Sequence, residues 1–135
     1  MAPVITVFLG LFLAACDENP IGPTVPVDRQ FALAPGEGAT IEGTVVRMRF
    51  EEVTSDSRCP INAVCVWAGD AVVMIRVFDE IGSYRYELHT TDVTRKSATH
   101  RNVSIEIVDL QPIPFAGRPT DPSAYRATFK VTRAG

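Results

Sequence analysis

The chain has 135 residues, 46% of them hydrophobic, with 10 prolines, 9 glycines and a net charge of -3. That length implies one domain, and the composition is not that of a disordered or collagen-like chain. The acidic balance argues against a nucleic-acid partner, which calls for a basic footprint. The arginines are dispersed, as at Arg47, Arg49, Arg76, Arg85 and Arg126, and read as solvated strand faces rather than a phosphate-binding surface.

The first element is an uncharged, mostly apolar run from Pro3 to Ala15. A bilayer-spanning helix needs roughly 20 residues, so the run is too short to be one and suits the apolar region of a secretory signal. It ends in Leu13-Ala14-Ala15-Cys16, which resembles the lipobox of bacterial lipoproteins. The resemblance implies removal of residues 1–15, a diacylglycerol thioether on Cys16 with further acylation such as palmitate at the new amino terminus, and a domain held outside the cytoplasm in the cell envelope. No Lys or Arg precedes the apolar run, a departure from the family pattern. With Cys16 assigned to lipid, an even pair remains, Cys59 and Cys65. An exported compartment permits a disulfide between them.

Residues 16–30 follow as a lipidated cysteine and a proline-rich tether, DENPIGPTVPVDRQ after Cys16. Asp17 stands directly after the lipid site, where enteric lipoproteins retained on the inner membrane tend to carry aspartate. The folded domain is expected over 31–135, with its last strand ending near Arg133.

The domain's periodicity is two. VVRMRFE places Val46, Met48 and Phe50 against Arg47, Arg49 and Glu51. AVVMIRVF, 71–78, is apolar on nearly both faces and reads as a central strand. YRYELH places Tyr84, Tyr86 and Leu88 inward and His89 on the polar face. VSIEI buries Val103, Ile105 and Ile107. YRATFKVT buries Tyr125, Ala127, Phe129 and Val131. DEIGS, 79–83, reads as a hairpin turn. TDVTRKSATHRN, 91–102, reads as a polar loop carrying His100. The four prolines of 111–123 exclude a central strand there. Six to seven strands with no helical stripe predict an all-β fold, an antiparallel β-sandwich loosely immunoglobulin-like in architecture. The Cys-Trp-Cys order of true immunoglobulin domains is absent.

The densest stretch is SDSRCPINAVCVWAGDA, 55–71. Pro60 and Asn62 suit a turn inside the loop that a Cys59–Cys65 bond closes. The chain-entropy model gives such a loop about 2.4 kcal/mol. Trp67 is expected to cap the end of the core, and if exposed it offers a sugar or peptide contact. Asp56, Arg58, Trp67 and Asp70 form the candidate binding surface, with an Asp56–Arg58 ion pair as the plainer reading of those two. The pattern DSRCP followed by CVWAG resembles a signature of small exported bacterial proteins for which no activity is known, and implies export and β-structure only.

Catalytic patterns are missing. The cysteine spacing is not the C-x-x-C of thiol oxidoreductases, and a zinc site needs two further ligands that His89 and His100, read as surface residues, do not supply. Asp56 and Asp70 lack a calcium-loop pattern. Glu51 and Glu52 are adjacent and point to opposite faces, unlike a glycosidase pair. No G-x-S-x-G elbow or phosphate-binding glycine loop occurs. No catalytic residue, cofactor or metal is assigned. The expected partners are the membrane, through lipid on Cys16, and an envelope protein or small ligand. The expected function is a lipid-anchored, non-enzymatic binding or accessory domain. The alternatives are an envelope protease inhibitor presenting the disulfide-closed or the proline-rich loop, and a redox or metal protein centred on Cys59 and Cys65.

Overall fold

Alternating apolar residues dictate two sheets that face each other across one core. The computed structural model describes residues 22–134. The signal segment, Cys16 and the first part of the tether lie outside the described residues. The strands, in chain order, are β1 Thr24–Val25, β2 Gln30–Leu33, β3 Gly38–Ile41, β4 Arg47–Asp56, β5 Ala71–Phe78, β6 Ser83–His89, β7 Ser97–His100, β8 Val103–Gln111 and β9 Arg126–Arg133. One sheet has the order β1-β3-β4-β5-β6 and the other β2-β9-β8-β7. All pairs are antiparallel except β1 with β3. The all-β sandwich is as expected, and β5 lies inside its sheet between β4 and β6.

The strand count exceeds the expected six to seven because β1, β3 and β7, of two to four residues, are too short to show a period. β7 lies inside the segment read as a polar loop, where Ala98 alone is apolar. β1 and the first residue of β2 lie inside the expected tether. Thr24 and Val25 pair with Thr40 and Ile41, and the Asp28 amide donates to the Val131 carbonyl at 2.8 Å. The folded unit therefore begins before residue 31. Val25 explains this, since it is buried in the core.

The inner faces carry Ile41, Met48, Phe50, Val73, Ile75 and Val77 from the larger sheet. Ile105, Ile107, Leu110, Phe129 and Val131 meet them from the smaller one. Phe50 and Phe129 meet edge to face across the core with centroids 6.0 Å apart. A bulge between Ile107 and Asp109 shifts the phase of β8. Inward positions run 103, 105, 107 and then 110, so Leu110 rather than Asp109 enters the core. Bulges also interrupt β4 after Phe50 and after Val53. The first modifies the expectation for Glu51 and Glu52. Arg85 reaches Glu51 at 3.2 Å and Glu52 at 3.8 Å, so the two carboxylates share one cation.

Truncation of Phe129 removes the ring that joins the two layers. Phe129→Ala is expected to lower unfolding free energy by about 3–5 kcal/mol, read as a reduced urea midpoint with the native far-ultraviolet spectrum retained in buffer.

Candidate functional site

The two ends of the sandwich are built differently. One end holds the short turns around 42–46, 79–82 and 101–102. Asp79 organises it. Its Oδ1 accepts the Ile81 and Gly82 amides at 2.8 and 3.0 Å. Its Oδ2 takes His100 Nε2 at 2.9 Å and Arg101 Nε at 2.8 Å. Burial opposes ionisation of this carboxyl, but those four donors overcome it and hold it well below the ordinary value. With Nε2–H donating to Asp79, His100 Nδ1 accepts the Tyr86 hydroxyl at 2.8 Å. His100 is thus a buried link between the sheets, not the surface histidine that its polar surroundings in sequence imply.

The other end holds the long connections, and the 55–71 stretch lies there. Asp56 closes β4, and Arg58 folds back on it. Arg58 Nε and Nη2 grip the Asp56 carboxylate at 2.8 Å each. The same guanidinium donates through Nη1 to the Leu110 carbonyl and through Nη2 to the Pro112 carbonyl, both on the opposite sheet's β8 and its exit. Tyr125 donates its hydroxyl to Asp56 Oδ2 at 3.0 Å. The Arg58 and Asp56 side chains are only 14% and 10% exposed. Burial raises the Asp56 pKa, yet hydrogen bonds from Arg58 and Tyr125 outweigh it and the net shift is downward. Burial and the Asp56 hydrogen bond both push the Tyr125 phenol upward.

Asp70 forms a second clasp. Its main chain pairs with Ser57, Ser57 N–H donating to the Asp70 carbonyl at 2.7 Å and Asp70 N–H to Ser57 Oγ at 3.0 Å. Its carboxylate accepts His89 Nδ1–H at 2.6 Å and the Thr91 amide at 2.9 Å. Burial again opposes ionisation, and the His89 and Thr91 donors reverse the sign, leaving the carboxyl below its ordinary value. His89 is 6% exposed, against the expectation of a surface residue, because β6 turns inward at its last two positions. Its Nε2 is buried with no partner. An Asp–His pair of this form suits general-base work, but the free nitrogen is shut away from solvent and faces no reacting group.

Between the clasps, Cys59 and Cys65 are bonded, with Cα atoms 5.9 Å apart. Gly69 has a φ of +68, and a Cβ there would lie 1.8 Å from the Ser57 carbonyl oxygen, so only glycine lets the two arms of the loop approach. The loop packs on the proline-rich segment: the Ile61 amide donates to the Pro114 carbonyl at 2.9 Å, and Asn62 Oδ1 accepts the Ala116 amide at 2.7 Å. A cis peptide joins Gln111 to Pro112.

Trp67 does not cap the core. It is 83% exposed, beside Val66 at 91% and a fully exposed Val64. The core end it was expected to cover is filled by Leu110 and Tyr125 instead. The candidate surface therefore divides: Asp56, Arg58 and Asp70 are spent on internal bonds, whereas Trp67 projects outward. Ile61, Ile113 and Phe115 extend the exposed apolar area. Their sequence signal is an absence of charge, over PINAVCVWAG at 60–69 and PIPFAG at 112–117. Among the described residues no group of three His, Cys, Asp or Glu side chains could hold a metal, and no helix is long and apolar enough to cross a membrane.

Comparison with family models, with curated proteins and with solved structures finds no match.

Arg58→Ala strips the cation from a buried carboxylate and orphans two carbonyls. It is expected to cost about 3–5 kcal/mol, measured by urea unfolding, against under about 0.5 kcal/mol for an exposed change such as Val64→Ala. Acid should act on the same clasps. The ordinary aspartate value is 3.8, and the folded values of Asp56, Asp70 and Asp79 lie below it. The unfolded chain then binds protons first as pH falls. Their stabilisation is complete well above that ordinary value and is lost below it, so thermal midpoints should hold level near neutrality and drop below about pH 4.

Proposed function

We propose that the protein is a lipid-anchored component of the bacterial cell envelope whose β-domain binds rather than catalyses. Its contact surface is the apolar end formed by 59–69 and 112–117. The anchoring part rests on Leu13-Ala14-Ala15-Cys16. The binding part rests on one observation: Trp67, Val66 and Val64 stand in water on a loop held in place by a disulfide and two aspartate clasps. Exposed apolar patches of this kind mark interaction sites, and a rigid loop binds at a lower ordering cost than a mobile one.

The convex, covalently closed shape of the loop and the full exposure of Val64 favour one second reading, an envelope protease inhibitor that presents this loop to a cleft. Micromolar protein slowing an envelope protease, with loss of that effect in Val64→Asp, supports it; a panel of unaffected proteases removes it.

The anchoring part is tested by Cys16→Ser. The parent protein is expected in the membrane fraction with an intact mass showing loss of residues 1–15 and addition of acyl chains. The variant is expected to keep residues 1–15 and to carry no acyl chain. A parent protein that keeps residues 1–15 and carries no lipid overturns the reading.

A further inference from the structure

We infer that the apolar end of the sandwich rests on the lipid surface itself, with Trp67, Val66 and Val64 inserted at the headgroup level. This rests on the lipid-anchored reading of Cys16 and names the surface that the domain meets.

The first argument is where the chain enters the fold. β1 runs parallel to β3, and β3 is antiparallel to β4. Followed backward from Thr24, the chain therefore heads along β4 toward Asp56, the end that carries the disulfide loop. Gly22 lies against Gly38, so closely that a Cβ on it would sit 1.8 Å from the Gly38 carbonyl oxygen. Gly38 is opposite Arg49. The described chain thus begins at the level of Arg49, on the side that faces the apolar end, and runs away from that end.

The second argument is length. Five residues, 17–21, separate Cys16 from Gly22, and the six steps between them reach at most roughly 20 Å. On β5, Arg76 lies opposite Arg49 and Ala71 opposite Asp56, five residues apart, or roughly 17 Å of strand. The arms of the loop continue past Asp56 through the 57–70 and 59–68 pairs, so the 59–68 pair stands roughly 25 Å from the Gly22 level at about 3.3 Å per residue. A lipidated Cys16 therefore reaches at most beyond the Asp56 level and short of the 59–68 pair. An anchor that short, joined to a chain that enters the fold from this side, draws the loop end of an upright domain onto the membrane.

The third argument is chemistry. The two adjoining segments at this end, 60–69 and 112–117, contain no charged side chain. The flanking Arg118 lies over the Phe115 ring at 4.9 Å, at the margin where a cation meets lipid headgroups. The neighbouring 90–96 connection supplies Asp92, Arg95 and Lys96 at the rim, and at the opposite end Glu42, Glu80 and Arg101 share the turns with the exposed Val45 and Ile81. Tryptophan favours the membrane interface, and an apolar face that lies there sinks about 5–10 Å into the headgroup boundary.

Trp67 is the sole tryptophan, so its fluorescence reads the loop directly. Full-length protein extracted from membranes, its acylated Cys16 verified by intact mass, is reconstituted into vesicles of phosphatidylethanolamine and phosphatidylglycerol. In those vesicles Trp67 emission is expected to shift to the blue relative to an unlipidated chain that starts at Asp17. Lipids brominated near the headgroup should quench it about twofold or more, and aqueous iodide should quench it several-fold less. Val64→Asp/Val66→Asp, altered at exposed positions and judged folded by its strand spectrum, should return the emission to that of water while remaining lipidated. A verified anchor with Trp67 still open to iodide overturns the inference and leaves the anchor standing. Trp67 shielded in native membranes but open in pure lipid vesicles also overturns it, and assigns the surface to a protein. An unacylated Cys16 removes the anchor and the inference with it.

Discussion

The Arg58 guanidinium is the bolt of this molecule. It sits where the last residue of β4 meets the exit of β8, and its donors are divided between the two sheets. Asp56 supplies the charge on one side, and the Leu110 and Pro112 carbonyls accept on the other. Tyr125, at the threshold of β9, completes the coordination of Asp56. A hydrophobic core alone draws two sheets together without fixing how their ends are aligned, because apolar contact is non-directional. A planar fork with fixed donor directions does fix it. The positions of the disulfide loop and of the proline-rich segment both follow from that alignment, since each begins within three residues of a group that Arg58 touches.

The same logic, with different residues, closes the far end. Asp79 caps its own hairpin and reaches across to His100 and Arg101, so the two sheets are pinned at both ends by buried aspartates. The difference lies in what remains outside the pins. Beyond Asp79 the turns are short and carry charges beside the exposed Val45 and Ile81. Beyond Asp56 and Asp70 two longer connections contain uncharged runs, 60–69 and 112–117, that expose apolar side chains, next to a third, 90–96, that carries Asp92, Arg95 and Lys96. A scaffold needs the pins at both ends. It does not need Val64, Val66 and Trp67 in water.

The legible features of the sequence were those with a period or a spacing. The alternation in β9 and β8 gave Phe129, Val131, Ile105 and Ile107 directly, and the unbroken apolar run of 71–78 located the interior strand. The cysteine count pointed to the Cys59–Cys65 bond. What escaped was set by partners distant in sequence. Leu110 enters the core through a bulge that no local pattern announces. β1 and β7 are too short to alternate. His89 and His100 are flanked by polar residues, and their burial depends on aspartates 19 and 21 positions away. Trp67 misled for a different reason. A single tryptophan in a small β-domain usually serves the core, and nothing local says that Leu110 and Tyr125 already fill that place.

Within the 55–71 stretch, structure assigns work to almost every polar or special residue. Asp56 and Arg58 join the sheets, Ser57 and Asp70 pair the loop's arms, Cys59 and Cys65 lock it, Pro60 accepts the Ala63 amide, and Gly69 allows the close approach to Ser57. Subtracting these leaves Val64, Val66 and Trp67 without a structural duty. An exposed tryptophan and two valines gain nothing in water, and burial contributes about 1.5–3 kcal/mol for a full-sized apolar side chain. Burial of all three against one surface therefore supplies several kcal/mol, on the scale of the marginal binding that a single acyl chain provides. On the lipid-anchored reading the two contributions act at one place, because the described chain enters its sheet from the loop end and the five residues between Cys16 and Gly22 are too few to reach past it.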